Sequence, residues 1–127
     1  MADSLRYKDW YDKAEKDLQG AKILFQYEAD YGLVAFHCQQ AMEKGLKGFI
    51  LQHLIELTEG HSLVYLCKRA SGIDEEIKRY LKDCAYVNQF YIETRYPADI
   101  IVKLDKNEAE ECIEMTERLL KRIIEGV

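Results

Sequence analysis

The stretch from Tyr31 to Leu51, YGLVAFHCQQAMEKGLKGFIL, has the length and the residue spacing of a helix with two different sides. Successive helical residues lie about 100° apart, so residues three and four positions apart share a face. One broad face is apolar and rich in small residues: Val34, Ala35, Cys38, Ala41, Met42, Gly45, Leu46, Gly48 and Phe49. The opposite side carries polar residues: His37, Gln39, Gln40, Glu43, Lys44 and Lys47. The stretch therefore predicts a long helix that packs through its apolar face.

Apolar residues frame the polar side of this helix at both ends, with Leu33 and Phe36 before it and Ile50 and Leu51 after it. Two interpretations are open. The helix is an ordinary amphipathic core helix whose polar side is in water, since charged residues usually lie where water reaches them. Alternatively, the polar side meets a second subunit or a ligand, because a purely solvated face is rarely framed in this way.

Helical spacing continues through the rest of the chain, which contains one proline and seven glycines. No segment shows the alternating pattern of a strand. The predicted helices run from about Leu5 to Tyr27, from Asp30 to about His53, from about Ser62 to Arg69, from Asp74 to Ile92–Thr94, and from Asn107 onward. Four long helices and one short helix predict an all-α fold. We expect a single domain over residues 1–127, built as an antiparallel up-down helical bundle.

Several residues mark the ends of these predicted helices. Asp30 and Ser62 each precede a helical pattern and are expected to be N-cap residues. Asn107, followed three residues later by Glu110, predicts a capping box at the start of the last helix. Pro97 cannot lie in a helix interior, so the fourth helix should end before it.

Charge and cysteine usage limit the class of protein. A formal net charge of −5 and a pI near 5.2 argue against a sequence-independent nucleic-acid binder, so we expect no DNA binding. The four cysteines form no C-x-x-C pair and are predicted to be small core residues. With no signal peptide and no apolar run of about 18 residues, we expect a soluble, reduced, cytoplasmic protein without a membrane partner.

Asp17 falls inside the apolar arc of the first predicted helix. A buried carboxylate without a partner would protonate or destabilise the fold, so Asp17 requires a partner. Lys44 or His37 on the second helix is the expected one. We therefore predict a buried polar pairing of Asp17, most directly with Lys44, between the first two helices.

No enzymatic motif is evident in the sequence. There is no glycine-rich phosphate loop, no H-E-x-x-H motif, and no pair of Glu-x-x-His helices. The three histidines show no metal-ligand spacing among themselves. We therefore predict neither a metal site nor a cofactor, and we assign no catalytic residue.

A group of polar residues remains as the candidate ligand-binding site: His37, Gln40, Lys44, Lys47, His61, Arg95 and Tyr96. Arg95 is the most informative, because a guanidinium can form paired hydrogen bonds to a phosphate or a carboxylate. The rings of Tyr91 and Tyr96 could stack on a base or shield that contact from water. Alternatively, Arg95 only anchors its loop to helix-end carbonyls or to Asp99, and His61 only caps or pins its turn.

Four sequence patterns follow one another along the chain. They are A-x-x-D-L-x-x-A from Ala14 to Ala21, F-H-C-Q-Q-A-M-E-K-G-L-K from Phe36 to Lys47, G-H-S-L from Gly60 to Leu63, and T-R-Y-P from Thr94 to Pro97. In these patterns, over almost its whole length, the chain resembles a stand-alone HEPN domain. This nucleotide-binding domain is named for its occurrence in higher eukaryotes and prokaryotes.

The resemblance implies a bundle of four to five helices that usually forms a homodimer. It also implies a minimal nucleotidyltransferase as partner, since such domains are often encoded beside one or fused to it. Such pairs are commonly toxin and antitoxin. Many members of the family are metal-independent ribonucleases whose site needs an arginine followed four to six residues later by a histidine, with the two copies meeting across the dimer.

This sequence lacks that ribonuclease motif. Arg95 is followed by YPADIIV, and no other arginine has a histidine at the required spacing. Without that histidine there is no evident general acid or base for attack by the ribose hydroxyl, a loss of about 100-fold to 10,000-fold in rate. We therefore expect the ribonuclease activity to be absent.

Two functions from different classes remain open. The favoured one is a non-catalytic assembly module that dimerises and uses Lys44, Lys47, His61 and Arg95 to hold a nucleotide or RNA phosphate, or a nucleotidyltransferase partner. The alternative is an enzyme, a metal-independent ribonuclease that uses His37 or His61 in a non-standard site.

Overall fold

The computed structural model describes residues 3–93 and 104–126. Every regular element in these ranges is helical, which confirms the all-α prediction. The α-helices are α1 (Tyr7–Gln26), α2 (Tyr31–Leu54), α3 (Leu63–Ser71), α4 (Leu81–Asn88), α5 (Phe90–Glu93) and α6 (Lys106–Leu120). A 3₁₀-helical turn, Glu75–Tyr80, precedes α4, and a π-helical turn, Lys121–Glu125, extends α6. None of the described helices has the length and hydropathy that a bilayer crossing requires.

Helix α2 is the central element of the bundle and packs against α1, α3 and α6. Its apolar face forms the middle of the core, with these side chains fully buried: Val34, Ala35, Cys38, Ala41, Met42, Leu46 and Ile50. Each large aliphatic side chain among them contributes about 1.5–3 kcal/mol through burial. The apolar side of the Tyr31 to Leu51 stretch therefore has the packing role that its spacing predicts.

Side-chain contacts fix the directions of the long helices. Tyr11 Oη donates to Gln52 Oε1 at 2.7 Å, and Lys44 Nζ donates to Asp17 Oδ2 at 2.6 Å, so α1 and α2 are antiparallel. Helix α6 runs in the same direction as α2, because its earlier turns lie beside Cys38 and its last turn lies beside Gly45. The α3–α5 segment returns the chain between them, as an up-down bundle requires.

Two glycines of α2 allow neighbouring helices to approach closely. A Cβ atom at Gly48 would lie 2.9 Å from Trp10 Cβ and from two ring atoms of Tyr11 on α1. A Cβ atom at Gly45 would lie 2.5 Å from Leu120 Cδ2 on α6. Both glycines therefore lie where the bundle is most tightly packed.

The predicted N-caps of α2 and α3 are present. Asp30 Oδ1 accepts a hydrogen bond from Gly32 N at 2.7 Å, and Ser62 Oγ accepts one from Tyr65 N at 3.2 Å. Between these helices, Gly60 has a φ of +93°, which glycine adopts without steric cost. This turn sets the position of His61, the residue immediately before the α3 cap.

The predicted start of the last helix was wrong by two residues. Helix α6 is capped by Asp105, whose Oδ1 accepts from Glu108 N at 2.7 Å, while Glu108 Oε1 accepts from Asp105 N at 3.1 Å. The predicted box of Asn107 and Glu110 has the same spacing as this one. Two overlapping patterns competed, and the earlier one caps the helix.

The predicted fourth helix is divided into three segments: the 3₁₀ turn, α4 and α5. Asn88, which ends α4, accepts a hydrogen bond from Leu63 N at 2.9 Å and so satisfies a free amide at the start of α3. Within α4, Cys84 and Val87 are buried, whereas Ala85 is exposed. The expected effect of Pro97 on this segment lies outside the described residues.

All four cysteines are buried and free, which confirms their prediction as core residues. Burial raises the pKa of the Cys38 thiol to about 12 and raises the pKa of Cys112 as well. The hydrogen bond that the Cys84 thiol donates to the neighbouring Cys67, together with burial, raises the pKa of Cys84. The thiols of Cys38, Cys84 and Cys112 therefore remain protonated at neutral pH. The pKa of Cys67 is instead lowered, because the hydrogen bond with Cys84 stabilises its thiolate.

Candidate functional site

The polar side of α2 is divided between two clusters that face different neighbours. The first, the α2–α3 cluster, contains Gln39, Gln40, Glu43, Lys47 and His61. The second, the α1–α2 cluster, contains Asp17, His37 and Lys44. Gln39, Glu43 and Lys47 are only 0%, 5% and 8% exposed. The expectation of a solvated polar side was therefore wrong for half of this stripe, because α3 and the loop before it cover it.

Glu43 is the centre of the α2–α3 cluster. Its Oε2 accepts from Lys47 Nζ at 3.1 Å, and its Oε1 accepts from Gln39 Nε2 at 3.2 Å. The i, i+4 spacing places all three side chains on one side of α2. A buried carboxylate is tolerated because it is paired with a cation and bonded to an amide.

Gln39 connects this cluster to the loop before α3. Its Nε2 also donates to the backbone carbonyl of His61 at 3.1 Å, and its Oε1 accepts from Gln40 Nε2 at 2.7 Å. The loop carbonyl is therefore fixed by a fully buried side chain of α2. Because the Gly60 turn brings the chain back toward α2, His61 is held at the middle of the long helix.

The imidazole of His61 is held from two sides. Its Nδ1 lies 3.0 Å and 3.1 Å from the two carboxylate oxygens of Glu43. Its ring stacks on Tyr91 of α5, with ring centroids 5.2 Å apart and planes inclined by 23°. The side chain is nevertheless 57% exposed. Because an ionised carboxylate only accepts, this contact assigns the hydrogen of a neutral ring to Nδ1 and the free lone pair to Nε2.

The α1–α2 cluster is a partly buried ion pair with a histidine beside it. Lys44 Nζ lies 2.6 Å from Asp17 Oδ2, and His37 Nδ1 lies 3.4 Å from Asp17 Oδ1. Asp17 thus contacts both residues that were considered as its partner. The pair joins α1 to α2, and Lys44 has its charge balanced within the chain.

Three of the predicted ligand-binding residues lie in one place and the others do not. The structure brings Gln40, Lys47 and His61 together, whereas His37 and Lys44 belong to the α1–α2 cluster. Arg95 and Tyr96 lie outside the described residues. The predicted ligand-binding set left out the two side chains that organise the group, Gln39 and Glu43, although both were placed on the polar side of the helix. Their i, i+4 spacing with Lys47 was the available signal.

A large groove of the described structure lies elsewhere. It encloses about 600 Å³ and is lined by, among others, Tyr7, Tyr11, Phe49, His53 and Arg122. The guanidinium of Arg122 is already bound by Asp74 at 2.7 Å, and this hydrogen bond lowers the pKa of the Asp74 carboxyl. We place the candidate site at the α2–α3 cluster, because there a buried charged network holds an exposed, oriented side chain.

Within residues 3–93 and 104–126, no group of three or more His, Cys, Asp or Glu side chains is placed to hold a metal ion. The contacts at the cluster support the chemistry of an oriented imidazole beside an aromatic ring. An imidazole of this kind can stack on a planar ligand, accept a hydrogen bond at Nε2, or act as a base or nucleophile there.

Comparison with known proteins gives consistent results. A family model described as HEPN domain matches residues 7–127. TT1696 from Thermus thermophilus is 26% identical, covers 98% of this chain and 100% of its own, and superimposes with a TM-score of 0.80. ST0689, an archaeal HEPN homologue, is 26% identical, with coverage of 95% and 97% and a TM-score of 0.77. No curated protein matches the sequence.

Proposed function

This chain belongs to the HEPN domain family, and we propose that it is a non-catalytic module that binds a nucleotide and assembles with protein partners. The proposal places the base of the nucleotide against His61. The α2–α3 cluster then holds His61 in the orientation that this contact requires. Its partners are a second copy of the chain and a minimal nucleotidyltransferase, arranged as in a toxin and antitoxin pair.

The stacked pair of His61 and Tyr91 is the observation that carries the binding proposal. Stacking on aromatic side chains contributes about 1–3 kcal/mol per base and tolerates any base. The His61 ring is exposed, yet Glu43 and Tyr91 fix its orientation, so a ligand that stacks on it does not have to order it first. This arrangement supports recognition of a planar base more than recognition of a free phosphate.

The lysines are poor candidates for the phosphate. Lys44 is paired with Asp17 and Lys47 with Glu43, so each would have to leave a carboxylate of its own chain to bind an anion. Arg95 follows Tyr91 by four residues in the sequence. We assign the phosphate contact to Arg95, since its guanidinium can bind two phosphate oxygens at once.

The distribution of histidines supports a non-catalytic role. Cleavage by a ribose hydroxyl uses a base on one side of the phosphate and an acid on the other. His37 contacts Asp17 on α1, whereas His61 contacts Glu43 and stacks on Tyr91 of α5, so each belongs to a different cluster. The family's arginine and histidine motif is also missing from the sequence.

A second candidate function is a metal-independent ribonuclease with His61 as its base. The contact between His61 Nδ1 and Glu43 favours it, because a carboxylate that orients an imidazole is a common feature of histidine bases. A cleavage assay on structured RNA separates the two functions. Activity in the rigorously purified protein that disappears in His61→Ala, or in His37→Ala, would replace the non-catalytic proposal with this one.

The binding proposal is tested by nucleotide-dependent thermal stabilisation. At about ten times Kd a ligand adds about 1.4 kcal/mol of stability, which raises the Tm of a domain of this size by several degrees. We expect millimolar nucleotide to stabilise the wild type, and this shift to be lost in His61→Ala and in Arg95→Ala. His53→Ala, which removes a histidine of the distant groove, is the control and should keep the shift. Absence of any shift in the wild type would remove nucleotide binding from the proposal.

The partner proposal rests on membership of the family and is tested separately. We expect light scattering at high micromolar concentration to give the mass of a dimer. We also expect the chain to copurify with a minimal nucleotidyltransferase encoded beside its gene. A monomer that does not copurify with such a protein would contradict the assembly role without affecting the nucleotide measurement.

A further inference from the structure

His61 combines exposure with a fixed orientation. Its side chain is 57% exposed, yet Nδ1 contacts both oxygens of Glu43 and the ring stacks on Tyr91. Ordering an exposed side chain costs conformational entropy that is not recovered through burial. A surface imidazole held on both sides therefore calls for an explanation beyond packing.

Charge balance in the cluster does not provide that explanation. Lys47 already neutralises Glu43 at 3.1 Å, and Gln39 donates a further hydrogen bond at 3.2 Å. Both partners come from α2 itself, so the buried carboxylate is compensated without the loop. The contact with His61 therefore acts mainly on His61: it fixes the tautomer and the direction of the ring.

The fixed tautomer makes Nε2 the nucleophilic atom. In this tautomer its lone pair carries no hydrogen, and no side chain of residues 3–93 and 104–126 bonds to it. The carboxylate stabilises the positive charge that develops on the ring when this lone pair forms a bond. We propose that His61 is a phosphoryl-acceptor site, modified at Nε2 by small donors with a reactive phosphorus–nitrogen or acyl phosphate bond.

The transfer step is balanced as follows. The Nε2 lone pair attacks phosphorus, a nitrogen–phosphorus bond forms, and the bond from phosphorus to the leaving group breaks. With phosphoramidate the leaving group departs with that electron pair as ammonia. The Nδ1 hydrogen stays covalently bound to the ring and keeps its hydrogen bond to the Glu43 carboxylate. No oxidation or reduction occurs, and Glu43 acts as a positioning residue that does not touch phosphorus.

The surroundings of His61 favour the phosphorylated product. His61 directly precedes Ser62, the N-cap of the nine-residue helix α3, and the partial positive charge of a helix N-terminus stabilises a nearby dianion. The acceptor chemistry rests on the contact of His61 with Glu43 and not on nucleotide binding. Its regulatory consequence does rest on the proposed function: a phosphoryl group at Nε2 would compete with a base that stacks on the same ring.

The test is phosphorylation of the full chain by potassium phosphoramidate, mapped by peptide mass spectrometry without acid and by ³¹P NMR. The other two histidines are internal controls. The His53 ring lies against Phe49, with the two planes inclined by 50°, and His37 lies beside an aspartate that Lys44 already neutralises. We expect native His61 to react about tenfold faster than His53, the effect of one charge-assisted hydrogen bond. In urea the three rates should become equal.

Two variants complete the experiment. Glu43→Gln removes the negative charge but keeps an acceptor, and it should lower the His61 rate about tenfold in protein whose circular dichroism shows it to be folded. His61→Gln should abolish the fast phase. Equal rates at His61 and His53 in the native wild type would overturn the proposal, as would an adduct at Nδ1, and this comparison holds even if Glu43→Gln fails to fold. Selective phosphorylation of His61 in a protein that no nucleotide stabilises would contradict the proposed function and would still support the acceptor site.

Discussion

Lys47 Nζ donates to Glu43 Oε2 across 3.1 Å inside the protein, where the two side chains are 10% and 7% exposed. Removing one partner of a buried pair leaves an uncompensated charge and typically costs about 3–5 kcal/mol. We therefore expect Lys47→Met to lower the free energy of unfolding in urea by about that amount. Glu43→Gln combined with Lys47→Met should recover much of the loss, because no buried charge then remains.

The exposed pair of Lys16 and Asp12 is the matched control for this prediction. It has the same i, i+4 spacing and the same 3.1 Å distance, but both side chains are more than half exposed. Lys16→Met should change stability little, since exposed ion pairs contribute weakly. Equal effects of Lys16→Met and Lys47→Met would show that the α2–α3 cluster is not buried in solution.

Gly48 lies where α1 and α2 are closest, and a Cβ there would be 2.9 Å from Trp10 Cβ. We expect Gly48→Ala to destabilise the protein by about 1–3 kcal/mol through overpacking. Gly20, inside α1, has no atom within 4 Å of the position of a Cβ. Gly20→Ala should instead stabilise by about 0.5–1 kcal/mol, because alanine has the higher helix propensity. Chemical denaturation measures both, and changes of equal sign would contradict the packing described.

Two residues near the start of α6 should contribute differently to stability, because only one of them is its N-cap. Asp105 forms both halves of a capping box with Glu108, whereas Asn107 lies within the first turn. Asp105→Ala should cost about 1 kcal/mol of unfolding free energy. Asn107→Ala should be close to neutral or slightly stabilising. A larger loss from Asn107→Ala than from Asp105→Ala would favour the later start that the sequence pattern also allows.

The carboxyl of Asp74 should make the free energy of unfolding depend on pH. The hydrogen bond from Arg122 lowers the pKa of its carboxyl below the ordinary value. A depressed folded pKa contributes stability that is fully present above the unfolded pKa and is lost as pH falls through the folded one. The stability difference between wild type and Asp74→Asn should therefore shrink as pH falls from about 5 to about 2. Asparagine keeps an acceptor for Glu76 N, so the comparison isolates the charge. A difference that does not change with pH would rule out this contribution.

Local signals in the sequence were sufficient to predict the helices and several of the residues at which they begin or end. The caps at Asp30 and Ser62 depend on neighbouring backbone amides, and the small residues of α2 reveal a helix that packs closely. The prediction of the start of α6 failed for the same reason, because two local patterns overlap within six residues. Local rules do not choose between them.

The candidate site could be predicted only in part, because its form depends on what covers α2. The sequence placed Glu43 and Lys47 on one polar side, but their burial follows from the position of α3 and the Gly60 turn. The contact of His61 with Glu43 joins residues 18 apart, and its stacking on Tyr91 joins elements that no short-range pattern connects. Tertiary packing, which periodicity does not encode, decided these features.

Stacking of a base on His61 is tested most directly by an NMR titration that follows the imidazole protons of the three histidines while each common ribonucleoside triphosphate is added. We expect the His61 signals to shift with the ring current of the stacked base, saturably and at millimolar concentration or below. The His37 and His53 signals should stay in place. A nucleotide that stabilises the protein while the His61 signals remain unchanged would show that the ligand binds elsewhere and would contradict base recognition by His61.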